Sequence, residues 1–356
     1  MIIVVGAGVA GLAAARRLSM QGHRPLLLAP PGPLAVMGET LSERGARFLD
    51  LLGWADCLDA SVALAGQGRF SVWGSAGLRT IQDEDGQGHL VDKARLEQTC
   101  AARLQEGSLD ISPARVLRLE HTPQGVRALL DDGTARDAQA LIDCTGRSAL
   151  SAGDKADRRR LDRLVAAWRV FDLAEGAETL PATLVEAVEL GWWYMSPMPG
   201  GRMMVALFSD SDLLPDGLSR DGRVWAGLAV CTDAVRVRLE SLGLDAELDA
   251  RAPAVSAAAT CMVSHFVEGR ILRAGDAAAA MDPLAANGLA TALWSGVQAA
   301  DAALALIKGD EEPARRYEKD YLLGLVRHLS SQHALYSAEQ RYAAQPFWQR
   351  RHRALD

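Results

Sequence analysis

Short apolar runs that alternate with glycine-rich turns mark the first thirty residues. The β-branched run IIVV at residues 2–5 predicts a buried strand, and GAGVAG at residues 6–11 leads from it into the alanine-rich stretch at residues 12–22. A second apolar run, PLLLA, follows at residues 25–29. A strand, a helix and a second strand in this order predict a βαβ unit, and therefore the start of a parallel sheet.

The middle of the chain changes to strand-like runs separated by polar turns. Residues 126–130 and 138–143 flank the turn DDG at residues 131–133, a pattern typical of a hairpin that leads into a buried strand. Between residues 168 and 264, runs such as MMVALF at 203–208 alternate with loops. This part of the sequence predicts a second, mostly antiparallel region that faces the substrate.

The last hundred residues have mainly helical patterns. Residues 271–272 form a short strand-like run, residues 288–307 have the length and apolar content of a long buried helix, and residues 313–341 have amphipathic periodicity. The alanine-rich run at 274–307 is apolar enough to be considered as a membrane span. We instead predict a buried turn and helix, because polar side chains that would be costly in hydrocarbon interrupt the run. They are Asp276, Asp282, Asn287 and Asp301.

The composition excludes several classes of protein. The chain has 356 residues, with 38 Lys and Arg against 45 Asp and Glu, and a formal net charge of −7. A nucleic-acid binder needs a basic face for phosphates, so this balance argues against one. Five cysteines are scattered without a CxxC pair, and the N-terminus has no basic leader. We therefore expect a cytoplasmic protein with reduced thiols, no metal site and no membrane segment.

The glycines of GAGVAG have the spacing of a dinucleotide fingerprint. In the pattern between a strand and a helix, Gly6 permits the tight turn, Gly8 lets a pyrophosphate approach the backbone, and Gly11 allows close packing of the helix on the strand. An acid that binds the ribose is expected at the end of the second strand, but Ala29 occupies that position. Either another group binds that ribose or the adenosine end of the nucleotide is bound loosely.

Two later segments can approach the same nucleotide. LIDCTGR at residues 141–147 is an apolar strand that ends in a turn of small residues, and RAGDAA at 273–278 delivers Asp276 at a second turn. DPLAANG at 282–288 then enters the long helix. Asp276 can accept hydrogen bonds from a polyol, and the backbone N–H groups near Gly288 can stabilise negative charge on a reduced ring.

The order of these three motifs resembles the FAD-binding architecture of flavoprotein hydroxylases with the p-hydroxybenzoate hydroxylase fold, over nearly the whole chain. Four further segments are similar to the branch related to tryptophan halogenases, which includes the flavoproteins that mature tryptophylquinone-containing amine oxidases and dehydrogenases. These segments are GETL at 38–41, HLVDKARLE at 89–97, GWWY at 191–194 and QPFWQRR at 345–351.

The resemblance implies noncovalent FAD and activation of O2 at the flavin C4a position. Lys93 stands where the family usually has an arginine near the cofactor. The ammonium group of a lysine and the guanidinium group of an arginine do not bind a cofactor equivalently. The glycine turn would meet the pyrophosphate, Val116 the adenine, Asp276 the ribitol, and residues 283–289 the isoalloxazine. The residues so assigned to the cofactor are Gly6, Gly8, Ala10, Gly11, Lys93, Val116, Thr145, Gly146, Gly275, Asp276, Pro283, Asn287, Gly288 and Leu289.

The resemblance also implies an α/β fold with interleaved domains. Residues 1–67, 90–150 and 262–307 would form a Rossmann-like FAD-binding domain. Residues 68–89 and 151–261 would form a mostly antiparallel β-sheet substrate domain, followed by a C-terminal helical region at 308–356.

The segment GWWY provides the candidate catalytic residues Trp192, Trp193 and Tyr194. Compared with the halogenase pattern G-W-x-W-x-I-P, Tyr194 replaces the second tryptophan and Ser196 the isoleucine, which disfavours halogenation. Adjacent strand residues face opposite sides of a sheet. We therefore predict that at most one of the two tryptophan rings faces the flavin; the alternative is a structural strand with one ring buried and one facing solvent.

The favoured hypothesis is an FAD-dependent monooxygenase that hydroxylates an aromatic substrate, such as a tryptophan in a partner polypeptide during tryptophylquinone biogenesis. Two alternatives stay open: a halogenase or reductase acting on a small molecule, and a flavin-binding assembly protein for a partner enzyme. The chain lacks the DGxxSxxR segment common in hydroxylases that use a nicotinamide directly, so a separate flavin reductase is a candidate partner. The basic residues 350–353 beside Trp348 are a second candidate partner contact.

Overall fold

The computed structural model describes residues 1–81, 86–153 and 157–353. The predicted domain ranges also include residues 82–85, 154–156 and 354–356, which lie outside the described residues. The α-helices are α1 (Val9–Met20), α2 (Glu43–Leu51), α3 (Lys93–Glu106), α4 (Gly222–Val230), α5 (Ala234–Ser241), α6 (Gly288–Ile307), α7 (Glu312–Ser337) and α8 (Pro346–His352). The strands are β1 (Ile2–Val5), β2 (Leu26–Ala29), β3 (Gly38–Leu41), β4 (Ala63–Ala65), β5 (Gly68–Val72), β6 (Arg79–Ile81), β7 (His89–Asp92), β8 (Ile111–Pro113), β9 (Val116–Thr122), β10 (Gly125–Leu130), β11 (Ala135–Ala138), β12 (Ala140–Asp143), β13 (Arg158–Arg160), β14 (Leu164–Asp172), β15 (Ala182–Val188), β16 (Gly191–Met198), β17 (Arg202–Asp210), β18 (Ala254–Ala257), β19 (Cys261–Val263), β20 (Val267–Glu268), β21 (Ile271–Arg273) and β22 (Ala279–Ala280).

A six-stranded sheet in the order β20-β21-β12-β1-β2-β8 forms the nucleotide-binding part of the molecule. β1 pairs in parallel with β2 and with β12, and β12 pairs in parallel with β21. The apolar helices α1 and α6 pack against each other beside this sheet. The predicted βαβ unit is therefore present, because residues 2–29 carry the strand and helix patterns that their local sequence indicates.

The second large sheet has seven strands in the order β18-β14-β17-β16-β15-β5-β6. Its pairs are antiparallel except for β15 with β5. The chain enters this sheet at β5, leaves it for the first sheet, and returns at β14. The predicted α/β fold class is confirmed, while the exact domain boundaries stay predictions.

Both faces of the seven-stranded sheet are covered, which corrects the prediction for the two adjacent tryptophans. Trp192 and Trp193 are each only 1% exposed. Trp193 packs against Trp225 of α4, with ring centroids 5.5 Å apart, whereas Trp192 faces Tyr336 of α7 on the other side. Alternation does place the rings on opposite faces, but neither ring meets solvent because helices cover both.

The basic tail packs against the body of the protein, and its role as a partner contact stays a prediction. Phe347 and Trp348 are fully buried on the Trp192 face of the sheet. Arg350 forms an ion pair with Asp210 at 2.7 Å, and Arg351 forms another with the same carboxylate at 2.8 Å. The guanidinium groups of α8 therefore hold it on β17.

Helix α6 is the one helix of the described ranges that is long and apolar enough to cross a membrane. That test uses length and composition alone, and 56% of the apolar window is buried in the protein. Its Asp301 accepts from Arg17 of α1 at 2.8 Å. These contacts are those of a core helix.

Candidate functional site

The first glycine motif forms a turn with no space for side chains at two positions. Gly6 has a φ of +102°, and a Cβ on it would lie 2.3 Å from the Cys144 carbonyl oxygen. A Cβ on Gly11 would lie 1.8 Å from the Gly6 carbonyl oxygen. Helix α1 begins after Gly8, with no side-chain cap and no acid in its first turn. The helix N-terminus is therefore shaped to receive an anionic group such as a pyrophosphate.

The three motifs found in the sequence meet around this turn. Cys144, at the end of β12, touches Gly6, as described above. A Cβ on Gly275 would lie 3.0 Å from the Ala10 side chain. Val116, expected near the adenine, is buried at the start of β9 beside the ends of β1 and β2. The strand ends thus place segments that are more than 130 residues apart in the sequence at one edge of the parallel sheet.

A buried aspartate shapes the second motif. Asp143 is fully buried, and its Oδ1 accepts from the Thr145 hydroxyl at 2.6 Å and from the Thr145 N–H at 2.9 Å. Its Oδ2 accepts from the N–H of Ser151 at 2.7 Å. These bonds hold the turn at Thr145 and Gly146 open beside the nucleotide turn. Gly146 has a φ of +62°, a conformation that favours glycine.

Lys93, the unusual residue of the site, is partnered by carboxylates. Its Nζ lies 3.4 Å from Oε1 of Glu39, and that charge raises the pKa of Lys93 well above its ordinary value. Asp276 lies in the same group, 3.6 Å from Arg147. Its surroundings raise the pKa of Asp276 by desolvation, while Arg147 and Lys93 act in the opposite direction. Lys93 and Asp276 thus lie in one cluster of charges, as a polar cofactor chain requires.

Glu97 belongs to this cluster, and the sequence did not single it out. Its carboxylate accepts a hydrogen bond from the backbone N–H of Val9, and it lies next to Gly8 at the start of α1. Burial raises the pKa of Glu97, and the charge of Lys93 lowers it. Lys93 and Glu97 are four residues apart on α3, so both face the nucleotide turn. The four-residue spacing between Lys93 and Glu97 is the feature of the sequence that could have identified Glu97 as part of the site.

The segment at residues 282–289, called the proline loop below, is fixed by a second buried acid. Asp282 accepts from the Leu284 N–H at 2.8 Å, from the Tyr336 hydroxyl at 2.8 Å and from Gln332 Nε2 at 2.9 Å. Desolvation raises the pKa of Asp282. Tyr336 and Gln332 lie on α7, more than forty residues away, and no local pattern marked them.

The rest of the proline loop is open at its outer side. Pro283, Asn287 and Gly288 are exposed, and Leu289 is buried at the start of α6. A Cβ on Gly288 would lie 3.9 Å from Oε2 of Glu39, so the loop borders the charged cluster. Helix α6 has no side-chain cap and no acid in its first turn. Its N-terminal amides can therefore stabilise negative charge on a ring placed there.

Two of the three candidate catalytic residues face this region. Trp192 Nε1 donates to the Tyr336 hydroxyl at 3.1 Å, and that hydroxyl donates to Asp282 of the proline loop. The Tyr194 hydroxyl is 3.4 Å from Oγ1 of Thr40 in β3, and burial raises the pKa of Tyr194. Trp193 points to the opposite face of the sheet. The structure therefore connects Trp192 and Tyr194, but not Trp193, to the cofactor elements.

Comparison with known proteins identifies what binds here. Residues 1–320 match the family described as FAD binding domain. The chain belongs to this FAD-binding family. Its cofactor is FAD and it is an FAD-dependent oxidoreductase, so the cofactor and enzyme class predicted from the motifs are confirmed. The glycine turn, the open start of α1 and the Asp276 cluster fit the pyrophosphate and ribitol chain of that cofactor.

Several known proteins resemble this chain along its length. It is 25% identical to the putative FAD-dependent oxidoreductase LodB of Marinomonas mediterranea, over 98% of this chain and 96% of the relative. The structure of QhpG, a peptidyl tryptophan dihydroxylase essential for tryptophylquinone cofactor biogenesis, matches with a TM-score of 0.81 and 26% identity, over 100% of this chain and 79% of that chain.

The flavin-dependent halogenase CmlS has the same fold, with a TM-score of 0.82 at 20% identity over 100% of this chain and 68% of that chain. The branch suggested by the sequence motifs is confirmed by these matches. No group of three or more His, Cys, Asp or Glu side chains within residues 1–81, 86–153 and 157–353 is placed to hold a metal ion.

Proposed function

We propose that this FAD-dependent oxidoreductase is a monooxygenase that hydroxylates a tryptophan side chain of a partner polypeptide during biogenesis of a tryptophylquinone cofactor. The observation that carries the proposal is the similarity to the peptidyl tryptophan dihydroxylase QhpG along the whole chain. The relative LodB matches over nearly its full length as well. Both relatives are thus matched along most of their own chains.

The residues around the proline loop suit a reaction that needs orientation and exclusion of water. Reduced FAD supplies the chemistry that transfers an oxygen atom from O2. Trp192, Met198 and Met204 form a buried apolar face on the sheet, next to Leu284 of the proline loop. Such a face supports the proline loop from the side of the sheet and keeps water away from that side of the loop. The protein itself need not supply an acid or base for this step.

Details of β16 disfavour the halogenase alternative. Ser196, which replaces the isoleucine of the halogenase pattern, is fully buried, and its hydroxyl donates to the Pro197 carbonyl at 3.3 Å. Tyr194, which replaces the second tryptophan, has its hydroxyl next to Thr40. These polar groups occupy positions where the halogenase pattern has apolar side chains, so we favour hydroxylation.

The test is oxygen transfer to a tryptophan-containing peptide. The purified protein with FAD is reduced, first with NADH or NADPH alone and then with a separate flavin reductase, and is exposed to ¹⁸O₂ with candidate partner peptides. Mass spectrometry should show ¹⁸O on tryptophan and no halogen when chloride or bromide is present. Halide incorporation would establish the halogenase alternative. Maturation of the partner without turnover, retained in a Gly8→Trp variant that cannot bind FAD, would establish the assembly alternative.

A matched pair of variants separates the site from the rest of the sheet. Trp192→Phe removes the indole N–H that reaches Tyr336, on the side of the proline loop, whereas Trp193→Phe changes a ring of similar burial on the opposite face. We expect the first to reduce oxygen transfer more than the second at equal flavin content. Equal losses would contradict the assignment of the Trp192 face as the side that supports the proline loop.

A further inference from the structure

Glu39 of β3 lies between two parts of the FAD site, α3 and the start of α6. Its Oε1 lies 3.4 Å from Nζ of Lys93, and the two side chains are 27% and 35% exposed. A Cβ on Gly288 would lie 3.9 Å from Oε2 of the same carboxylate. Gly288 is itself exposed. The carboxylate of Glu39 and the ammonium group of Lys93 are therefore accessible beside the elements assigned to the cofactor.

The direction of the Glu39 side chain follows from the alternation along β3. Thr40 faces β16, where its Oγ1 is 3.4 Å from the Tyr194 hydroxyl. Neighbouring strand residues point to opposite sides, so Glu39 points away from β16, on the side where Leu41 packs into the core. Glu39 thus presents its charge to the start of α6, and Thr40 faces the sheet.

Glu39 supplies a negative charge beside the start of α6. The first turn of this helix has no acid of its own and no side-chain cap. The positive end of a helix stabilises a negative charge close to its first turn. A ring that becomes negatively charged at the proline loop would be attracted to the same helix end as Glu39. The carboxylate and the charged ring would therefore repel each other there.

The charge of Glu39 acts on groups at both sides of β3. Burial raises the pKa of Asp276 and of Tyr194, and the charge of Glu39 acts in the same direction on both. Lys93 acts on Asp276 in the opposite direction. A cofactor chain held beside Asp276 therefore experiences one negative charge from Glu39 and one positive charge from Lys93.

Reduction changes the charge of FAD only at its ring. Oxidised FAD takes up two electrons and one proton to give FADH⁻, which carries one additional negative charge on the ring, and the charge of the pyrophosphate stays the same. Like charges in a partly buried site repel more strongly than in water. A carboxylate beside the ring therefore destabilises the reduced form more than the oxidised form, and an ammonium group has the opposite effect.

We propose that Glu39 lowers the reduction potential of the bound FAD through its charge, and that Lys93 limits this effect as the opposing charge. A lower potential makes the passage of electrons from the reduced cofactor to an oxidant more favourable. The inference rests on FAD binding alone. Its test uses no substrate, so its failure would leave the proposed tryptophan hydroxylation untouched.

The test is the reduction potential of the FAD-loaded protein, measured without oxygen while xanthine and xanthine oxidase supply electrons to the protein and to a reference dye. Glu39→Gln keeps the shape of the side chain and removes its charge. We expect the equilibrium constant for reduction to rise about tenfold, which corresponds to a potential about 30 mV more positive. An unchanged or more negative potential would overturn the proposal.

Glu97→Gln is the matched control, because it makes the same change in the same cluster of charges. Glu97 lies beside Gly8 at the pyrophosphate turn, and the pyrophosphate keeps its charge on reduction. This variant should strengthen the binding of both forms of FAD equally, so its equilibrium constant for reduction should stay within about threefold of the parent value. Equal shifts in Glu39→Gln and Glu97→Gln would refute the specific role of Glu39.

Lys93→Gln tests the same idea in the opposite direction and covers the case in which Glu39→Gln does not fold. With the positive charge removed and Glu39 retained, the equilibrium constant for reduction should fall about tenfold. Direct titration of the apoprotein gives a second readout, since reduced FAD should then bind about tenfold more weakly relative to oxidised FAD. A more positive or unchanged potential in Lys93→Gln would refute the opposing action of the two charges.

Discussion

Replacing Tyr336 by phenylalanine should uncouple the proline loop from the sheet without opening a large cavity. The Tyr336 hydroxyl donates to Asp282 at 2.8 Å and accepts from Trp192 at 3.1 Å, and all three groups are buried. Phenylalanine keeps the ring that packs at 6.1 Å from Phe347 and 6.0 Å from Trp348. The substitution therefore removes two hydrogen bonds and little else.

The expected cost follows from those two bonds. A hydrogen bond to a charged group contributes about 1.5–3 kcal/mol, and a neutral one about 0.5–1.5 kcal/mol. Asp282 keeps the Leu284 N–H and Gln332 as donors, so its carboxylate is not left unpaired. We therefore expect Tyr336→Phe to lower the free energy of unfolding by about 2–4.5 kcal/mol.

Urea unfolding followed by circular dichroism and flavin absorbance measures this loss. Tyr317→Phe is the control, because the buried Tyr317 hydroxyl donates to one neutral group, the Arg273 carbonyl, at 2.5 Å and its loss should cost only about 0.5–1.5 kcal/mol. A double-mutant cycle of Trp192→Phe with Tyr336→Phe should show coupling between them. If Tyr336→Phe costs no more than Tyr317→Phe, the reasoning is refuted.

Three further predictions concern the cofactor turn and the tail. Gly11→Ala should strongly reduce the amount of bound FAD, because its Cβ would lie 1.8 Å from a carbonyl oxygen. The ratio of flavin to protein absorbance measures this loss. Gly227→Ala, in open space on α4, is the control and should leave that ratio unchanged. Glu97→Gln should tighten FAD binding about two- to fivefold in a fluorescence titration, since it removes a negative charge from the start of α1; weaker binding would contradict this repulsion. The Arg350 hydrogen bond lowers the pKa of Asp212 to about 2, so its stabilising effect is present above pH 4 and disappears as the pH falls towards 2. In acid unfolding, Asp212→Asn should therefore differ from the parent protein near neutral pH and converge with it near pH 2; a constant difference would argue against this ion pair.

Local patterns were sufficient for the nucleotide-binding part of the molecule. The run at residues 2–11 specifies a strand, a turn and a helix through its own residues, because glycine is required where no Cβ fits. The later motifs could also be placed beside the glycine turn, because the ends of parallel strands meet at one edge of the sheet. The fold class and the cofactor could therefore be predicted.

Contacts between distant segments could not be predicted in this way. Whether Trp193 meets solvent depends on α4, which covers the second face of the sheet and lies about thirty residues further along the chain. The same holds for Tyr336 and Gln332, whose role depends on where α7 packs. The charges of Arg350 and Arg351 resembled an exposed tail because their acidic partner in β17 is 140 residues away or more.

The position of α8 has a consequence for the order of folding. Trp348 Nε1 donates to the Val188 carbonyl, a contact between residues 160 positions apart. Closing so long a loop costs chain entropy before any contact compensates for it, so contacts of this type form late. Until α8 docks, the aromatic face around Trp192 is uncovered. Folding intermediates of this protein should therefore bind hydrophobic dyes and aggregate through that face, and ligands that hasten docking of α8 should suppress both.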